Sequence, residues 1–301
     1  MAHHSRCLDG VRVLVTRTPE RARDFADAVV ADGGSVVFAP MRQAAALEDP
    51  RHQQLIEQLN YVAAAAAPDW LAVTSVNTVL ALCQALSMEA VGDSSSPMAS
   101  LGDWVRPAVA RGLRVAAVGA ATAHALEHAG VRVDLVPPAQ DSSAQGLVQV
   151  WPQPPQHVCS EATVYLPQSE IARSTLRDGL VRRGWAVHTV TAYRMVPWPA
   201  ALPLSSPTAP AGERLWSPEE ARRHVASGAV DVVVATAPSL LRELLPTPNP
   251  AERLNNIAFV AMGEATRRTA EALGVTAYAA VTPNTDGLLQ AVKTAVKEHR
   301  A

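Results

Sequence analysis

The chain alternates short runs of β-branched and apolar residues with longer amphipathic stretches. The segment from Val11 to Pro40 shows the pattern: a strand (VRVLVTR), a helix from Thr18 to Asp32, a Gly33-Gly34 stop and a second strand (SVVFAP). Within the helix, apolar residues fall at i, i+3, i+4 and i+7, which predicts one buried stripe. The stripe consists of Ala22, Phe25, Ala26, Val29 and Val30. Strands that alternate with helices predict a parallel sheet covered on both faces.

The same order of elements returns about 150 residues later in the chain. TVYLPQ, the helix from Ser169 to Arg183, Gly184 and WAVHTVTAY repeat the first segment. Two further pairs match: DWLAVTSVNTV with DVVVATAPSLL, and RVAAVGAATAHALEHAG with IAFVAMGEATRRTAEALG. A polar start of a helix follows each third segment, SSAQGL in one half and TDGLLQ in the other. Four matched segments in one order predict two similar domains, each a small doubly wound α/β unit.

Two stretches rich in proline or serine interrupt this pattern. Met88 to Pro107 contains the run DSSSP and is interpreted as an inserted surface loop. Pro197 to Pro218 contains several prolines, and we expect a mobile excursion with a bias to polyproline II. Neither stretch is expected to carry the central function of the protein.

Composition limits the classes of protein that fit. The 301 residues include 48% apolar and 18% charged residues, which is typical of a globular chain of about two domains. With 26 basic and 28 acidic residues, the net charge of -2 argues against binding to nucleic acid or to a membrane surface. The N-terminus lacks the apolar core of a signal peptide, so we expect a cytoplasmic protein. Three distant cysteines form neither a disulfide framework nor a CxxC metal site.

Small, hydroxyl or amide residues follow most of the predicted strands. In open parallel sheets, ligands bind beyond the carboxyl ends of the strands, and a helix N-terminus with free N–H groups attracts anions. Several such turns facing a shared cleft suit a ligand with many carboxylates, without a basic patch. Ordinary N-capping explains any one turn taken alone, so the functional interpretation depends on recurrence. The turns are Thr16–Thr18, Thr74–Asn77, Gly119–Thr122, Ser142-Ser143, Gln168-Ser169, Thr236–Ser239, Gly263–Thr266 and Thr285–Gly287.

Other kinds of site have little support in the sequence. No GK[ST] follows either GxxT turn and no GxGxxG is present, which disfavours nucleotide binding. His124 and His128 have the i, i+4 spacing of zinc ligands, but a third ligand is not placed nearby, so we predict no metal site. A catalytic serine triad has no GxSxG elbow to support it. Tyr193 ends a strand at a domain boundary, where it is either an edge aromatic or part of a site.

Eight motifs in a fixed order cover nearly the whole chain outside the two interruptions: VLVTR, DWLAVTSVNTV, VAAVGAATAHALEHAG, SSAQGL, AYRMVP, VDVVVATAPSLL, VAMGEATRRTAEALG and TDGLLQAV. This ordered set resembles the uroporphyrinogen-III synthase family of tetrapyrrole biosynthesis. The resemblance implies two flavodoxin-like lobes, each a parallel sheet with helices on both faces, joined by a two-stranded linker. It implies that residues 1–41 and 197–301 form lobe 1 and residues 42–196 form lobe 2, with insertions near 88–107 and 197–220.

The resemblance also implies an activity. The family cyclises linear hydroxymethylbilane to uroporphyrinogen III, with inversion of ring D through a spiro intermediate, and uses no cofactor or metal. This substrate carries eight carboxylates, which agrees with the turn pattern. We therefore expect a small-molecule substrate and a monomer; a transient contact with the enzyme that supplies the bilane is also compatible with the resemblance. The alternative is a non-catalytic two-lobed protein that binds or senses a tetrapyrrole or a small anion, because a fold does not prove a chemistry.

Three residues match the family's catalytic positions: Tyr193, Thr122 and Thr266. A second set is predicted to bind substrate, partly from family motifs and partly from the turns: Arg17, Thr74, Ser75, Asn77, Gly119, Gln168, Ser169, Thr236, Ser239 and Gly263. Two departures from the family pattern affect the second half of the chain. Ala237 stands where the family more often has a serine, and Glu264 adds a negative charge beside an expected carboxylate site.

Overall fold

The described part of the chain forms two compact units in this computed structural model. One unit lies within residues 1–43, 197–199 and 206–301, and the other within 44–196 and 200–205. The sequence-based boundaries were residues 41/42 and 196/197. The described residues are 7–67, 69–89, 97–155, 162–206, 215–245, 254 and 256–299.

These residues hold ten strands and eleven α-helices, alternating along much of the chain. The strands are β1 (Arg12–Val15), β2 (Ser35–Phe38), β3 (Arg42–Ala45), β4 (Trp70–Val73), β5 (Arg114–Ala117), β6 (Thr163–Ser169), β7 (Ala186–Pro197), β8 (Val232–Ala235), β9 (Ala258–Ala261) and β10 (Ala277–Ala279). The helices are α1 (Arg23–Ala31), α2 (Arg51–Ala64), α3 (Val76–Glu89), α4 (Pro97–Ala110), α5 (Ala120–His128), α6 (Ala144–Val150), α7 (Thr175–Arg182), α8 (Pro218–Ala226), α9 (Pro238–Leu244), α10 (Glu264–Ala272) and α11 (Thr285–His299).

Each unit is built on a five-stranded sheet. The order in the first unit is β10-β9-β8-β1-β2, and in the second it is β3-β7-β6-β4-β5. The pairs β1–β2, β1–β8 and β8–β9 are parallel, as are β4–β5, β4–β6 and β6–β7. The predicted α/β class with parallel sheets is therefore confirmed.

The strand order agrees with the duplication found in the sequence. Under that duplication β6 corresponds to β1, β7 to β2, β4 to β8 and β5 to β9. Applying this correspondence to the order β9-β8-β1-β2 gives β5-β4-β6-β7, which is the order of the second sheet. An isolated parallel bridge from Ala116 to Leu135 continues this sheet on the side where β10 flanks β9. The two halves thus form the same sheet from segments joined in a different order.

The central strands are apolar along their whole length because helices cover both sheet faces. All four residues of β4, β8 and β9 are buried. In the first unit, α1 and α11 cover one sheet face and α8, α9 and α10 contribute to the core on the other. This double coverage explains why these strands show continuous apolar runs rather than alternation.

The first predicted interruption is not a surface loop over its described part. Residues 97–110 form α4, which packs against α2 and α3. Leu101, Val105 and Ala108 are buried in the core of the second unit. The prediction is wrong there because these apolar residues recur at helical spacing, a signal masked by the neighbouring serine-rich run. Residues 90–96 of that stretch lie outside the described residues.

The second predicted interruption also differs from the expected excursion. Leu202 O accepts a hydrogen bond from Ala46 N (2.8 Å), and Leu204 N donates one to Ala44 O (3.0 Å). The start of this stretch is therefore held by backbone hydrogen bonds to residues in and just after β3. At its far end, Ser217 and Glu220 cap α8 reciprocally. Residues 207–214 lie outside the described residues.

The first helix is shorter than predicted and its stripe is narrower. A 3₁₀ turn over Pro19–Arg21 precedes α1, which begins at Arg23. Phe25, Ala26 and Val29 are buried as expected, but the side chain of Val30 is 54% exposed. Val30 was wrongly assigned to the buried stripe because it lies about 100° around the helix from Val29.

No helix among the described residues is long and apolar enough to cross a membrane.

Candidate functional site

The predicted site residues lie at the carboxyl edges of the two sheets. In the second unit, Thr74 and Ser75 follow β4, Gly119 follows β5, and Gln168 and Ser169 end β6. In the first unit, Arg17 follows β1, Thr236 follows β8 and Gly263 follows β9. Because neighbouring strands in each sheet are parallel, these turns share one edge within each unit.

Tyr193 and Ser75 meet in the second unit. Tyr193 lies on β7 with 7% of its surface exposed, and its ring belongs to the unit's core. Its hydroxyl is 3.2 Å from Ser75 Oγ, which in turn is 3.0 Å from Thr78 Oγ1. Ser75 Oγ also accepts a hydrogen bond from Thr78 N (3.1 Å). A tyrosine and a serine 118 positions apart in sequence are thus joined in one hydroxyl cluster.

Ser169 is the strand neighbour of Tyr193. The two residues are paired between β6 and β7 just after a register shift at Gln168. Glu170 N donates a hydrogen bond to Tyr193 O (3.2 Å), and the Glu170 side chain pairs with Arg51 (3.3 Å). The end of β6 therefore fixes the backbone of Tyr193 from one side.

The turn at Gly119 opens α5. Gly119 is the N-cap residue in an extended conformation, and its carbonyl accepts hydrogen bonds from Thr122 N and Ala123 N. Thr122 is 6% exposed. A Cβ at Gly119 would lie 3.4 Å from the Cβ of Ser142, an ordinary contact distance. This turn and the start of the SSAQGL segment are therefore neighbours.

The turn at Gly263 has the same form in the first unit. Gly263 caps α10 in an extended conformation, and its carbonyl accepts hydrogen bonds from Thr266 N and Arg267 N. Thr266 is 3% exposed, like its counterpart Thr122. A Cβ at Gly263 would meet no atom within 4 Å. The protein's own backbone and packing therefore do not require glycine at this position.

The first unit has a pocket of about 370 Å³ at its carboxyl edge. Arg17 and Thr236 line it, together with Arg21 and the start of α11 at Asn284 and Thr285. Burial lowers the pKa of Arg17, and the nearby positive charge of Arg21 lowers it further. Thr236 Oγ1 is buried and has no hydrogen-bond partner among the described residues. The pocket thus combines guanidinium groups, a hydroxyl and a helix N-terminus, which are groups that bind carboxylates.

The charge of Glu264 is compensated within its own helix. Hydrogen bonds from Arg267 and then Arg268 lower the pKa of Glu264 to about 2. Arg267 Nη2 lies 2.7 Å and Arg268 Nε 3.0 Å from Glu264 Oε1. An acidic residue in the first turn of a helix also interacts favourably with the helix dipole. The negative charge that looked unfavourable in the sequence is therefore neutralised locally.

Other predicted residues are not brought into these clusters. Asn77 is half-buried and Ser239 exposed, each at the second position of its helix. Within the described chain, neither side chain hydrogen-bonds to the groups above. Ala237 is the N-cap of α9 without a side-chain cap, as its methyl group requires.

Two residues escaped the sequence-based selection. Thr78 could have been found from its spacing, because a serine N-cap bonds the N–H three residues later. Arg21 gave no signal beyond its place in a first helical turn. The two histidines considered as zinc ligands, His124 and His128, are exposed. No cluster of three or more metal-ligating side chains occurs in the described ranges.

The fold and these edges define a class: a two-unit α/β protein with paired glycine-capped helices at the carboxyl edges of parallel sheets. A family model described as "Uroporphyrinogen-III synthase HemD" matches residues 23–290. The chain belongs to the uroporphyrinogen-III synthase family, which comprises cyclising lyase-type enzymes of heme biosynthesis. The family recognised in the sequence is thereby confirmed.

Individual relatives agree with this assignment. The uroporphyrinogen-III synthase of Synechococcus elongatus is 27% identical over 186 residues, 62% of this chain and 61% of that protein. A Methanothermobacter thermautotrophicus protein, provisionally given the same enzyme name, is 28% identical over 286 residues, 90% of this chain and 92% of that one. The chain thus matches about three fifths of the length of the first relative and most of the second.

Solved structures of uroporphyrinogen III synthases from other organisms share this fold. A mutant uroporphyrinogen III synthase from Thermus thermophilus has a TM-score of 0.53 at 21% identity, covering 96% of this chain and 99% of that one. Uroporphyrinogen-III synthetase from Helicobacter pylori has a TM-score of 0.51 at 14% identity, covering 94% and 99%. At these identities the similarity concerns the fold alone.

Proposed function

We propose that this chain converts hydroxymethylbilane to uroporphyrinogen III, with inversion of ring D. One observation carries the proposal beyond family membership: each unit opens a helix with the same Gly-x-x-Thr turn, at Gly119 and at Gly263. Neither glycine has a positive φ, and neither position is too crowded for a Cβ. Glycine at these positions is then explained by a ligand that approaches the backbone closely.

The glycine caps leave backbone N–H groups available to an anion. A side-chain cap such as Ser143, which accepts from Gly146 N (3.0 Å), occupies an N–H group at its helix start. Gly119 and Gly263 have no such side chain. The third N–H of each helix, from Thr122 or Thr266, bonds the glycine carbonyl, so the N–H groups of the first two helical residues are the ones left for an anion. Free N–H groups at a helix N-terminus bind carboxylates without needing a basic patch, which suits a substrate with eight carboxylates and a chain of net charge -2.

The pocket in the first unit is proposed to take further carboxylates of the substrate. Arg17 and Arg21 supply positive charge, while Thr236 offers a hydroxyl whose oxygen has no partner among the described residues. Glu20 and Asp24 also line this pocket. Because acidic groups accompany the arginines, we expect the pocket to orient a carboxylate rather than to dominate the affinity.

Tyr193 is proposed to assist the departure of the substrate hydroxyl. The C–O bond breaks with its electron pair on oxygen, and the phenol, hydrogen-bonded to that oxygen, supplies the proton that completes a water molecule. A substituted carbon of the ring D pyrrole then attacks the electrophilic methylene of the resulting methylene-pyrrolenine to give the spiro intermediate, which fragments and recloses. Holding the bilane in one folded conformer is the larger part of the task, because it selects spiro attack over direct closure. Thr122 and Thr266 are proposed to contribute hydroxyls beside the glycine turns.

The test is the product isomer formed by the purified chain from enzymatically generated hydroxymethylbilane. Uroporphyrinogen III formed faster than the uncatalysed type I background is the expected result. A reaction without protein and one with heat-inactivated protein measure that background. Type I alone, at the background rate, would contradict the enzyme proposal. Binding of uroporphyrinogen III without turnover would favour the alternative of a tetrapyrrole-binding protein. Action without cofactor, cytoplasmic location and a monomeric state remain predictions.

A further inference from the structure

The hydroxyls of Thr78, Ser75 and Tyr193 form a chain whose direction can be worked out. Ser75 Oγ lies between the other two, 3.0 Å from Thr78 Oγ1 and 3.2 Å from Tyr193 Oη. Thr78 is fully buried, at 0% exposure, in the first turn of α3. Among the described residues, the hydroxyl of Thr78 has one hydrogen-bond partner, the hydroxyl of Ser75. The distances alone do not determine which hydroxyl of each pair is the donor.

Counting protons and lone pairs resolves the direction. A buried hydroxyl proton without an acceptor costs free energy, and no other described group accepts from Thr78 Oγ1. Thr78 therefore donates to Ser75 Oγ. Ser75 Oγ also accepts from Thr78 N (3.1 Å), so both of its lone pairs are used. The Ser75 proton is then directed to Tyr193 Oη. Three hydroxyls share two hydrogen bonds, so one proton is left over, and it belongs to Tyr193, which is 7% exposed, rather than to Thr78, at 0%.

We infer that Thr78 is a positioning residue, which orients the hydroxyl chain so that the proton of Tyr193 is free for the substrate. In the reverse direction Tyr193 would donate to Ser75, and its proton would be engaged within the protein. The inference depends on the proposed role of Tyr193, and it adds a residue that does not itself touch the substrate.

The direction also favours proton donation chemically. As the substrate C–O bond breaks, the phenol proton completes a water molecule and negative charge develops on Tyr193 Oη. The hydrogen bond from Ser75 stabilises that charge. The hydrogen bond from Thr78 to Ser75 polarises the Ser75 hydroxyl and so strengthens its bond to Tyr193. The proton that the pyrrole carbon releases on final ring closure returns to the phenolate. Protons and electrons therefore balance over one turnover.

The kinetic test is Thr78→Val, which keeps the shape of the side chain and removes its hydroxyl. Ser75 then gains a free lone pair, and Tyr193 can donate to it. We expect kcat to fall about 2- to 12-fold, the range for one neutral hydrogen bond, with KM unchanged. Thr78→Ser, which retains the hydroxyl, should restore kcat. Thr269→Val is the matched control, because Thr269 is a buried helical threonine whose hydroxyl bonds Ala265 O (3.0 Å).

A double variant distinguishes positioning from general damage. If Thr78 acts through Tyr193, adding Thr78→Val to Tyr193→Phe should cause no further loss of kcat. The inference would be overturned if the double variant lost kcat by the product of the two single losses. It would also be overturned if the kcat of Thr78→Val equalled or exceeded that of the unmodified protein. Absence of type III product from the unmodified protein would instead contradict the proposed function.

An infrared measurement tests the same inference without turnover. The C–O stretch of a tyrosine depends on whether its hydroxyl donates or only accepts a hydrogen bond. In protein with ring-labelled tyrosine, subtracting the spectrum of Tyr193→Phe isolates the band of Tyr193. We expect Thr78→Val to move this band toward the donor position, and Thr78→Ser to leave it in place. An identical band in Thr78→Val and the unmodified protein would refute the assigned direction.

Discussion

Replacing Gly263 by serine should separate ligand binding from folding. The residue caps α10 at φ -170° and ψ 175°, an extended conformation that any residue adopts. A Cβ built there meets no atom within 4 Å. Serine is also a slightly better N-cap than glycine. The substitution is therefore expected to leave the free energy of unfolding unchanged or to raise it by a few tenths of a kcal/mol.

The cost should appear in substrate binding. The new hydroxyl accepts the N–H of Ala265, the second residue of the helix and one of the groups that we propose bind a substrate carboxylate. Its Cβ occupies the open space above the turn. Losing one hydrogen bond to a charged group costs about 1.5–3 kcal/mol. This free energy corresponds to a rise in KM of roughly 10- to 150-fold, since each 1.4 kcal/mol is a factor of ten.

The assay combines thermal unfolding with initial rates of type III product at varied bilane concentration. The control is Gly34→Ala, a glycine before β2 and hence at the opposite edge of the same sheet. A Cβ at Gly34 would lie 2.8 Å from Val29 Cγ1 and 3.3 Å from Leu8 Cβ. Overpacking of this kind costs about 1–3 kcal/mol. Gly34→Ala should therefore lower Tm and leave KM unchanged, the reverse of Gly263→Ser.

Two results would refute this reasoning. An unchanged KM in Gly263→Ser would mean that no ligand approaches the turn, and the paired glycines would then lose their functional explanation. A large fall in Tm would mean that the glycine is required by the fold.

Tyr193→Phe should lower the rate by roughly 10- to 1000-fold while the enzymatic product stays type III, measured by isomer analysis; unchanged turnover would remove Tyr193 from the mechanism. Arg17→Ala should weaken binding of uroporphyrinogen III by about 1–3 kcal/mol, measured by calorimetry, and complete loss in a folded protein would indicate a cation-centred site. Since the pKa of Glu264 is lowered to about 2, its contribution to stability is present above pH 4.5 and is lost as the pH falls toward 2. Glu264→Gln should flatten the fall of Tm over that range, and parallel curves would contradict it.

The periodic parts of the fold were predictable from sequence. The buried strands β4, β8 and β9 appear in the sequence as short apolar runs. Helices cover both faces of each strand, so none of its positions faces solvent and needs a polar residue. The duplication appears because both halves build the same sheet. Local signals with a defined geometry, such as Ser143 as the cap of α6, could also be read directly.

Burial decided what the local pattern left open. Val30 continues an apolar run yet is exposed, while Leu101 and Val105 follow a serine-rich stretch yet lie in the core. α8 escaped prediction although Ser217 and Glu220 form its capping box, because the preceding prolines suggested an irregular segment. In each case the outcome depends on which elements pack against the segment, and that information is not local in sequence.

The candidate site divides in the same way. The sequence by itself identified the small-residue turns, since their position after a strand and before a helix follows from the chain pattern. Only the tertiary structure decided that Tyr193 bonds to Ser75, because β7 lies two strands from β4 in the sheet, with β6 between them, and sequence spacing does not reveal that order. It also revealed Thr78, whose hydroxyl gains a role only through its burial and through Ser75, its one hydrogen-bond partner within the described part of the chain. Hydrogen-bond direction depends on which groups are excluded from water, and folding alone determines that.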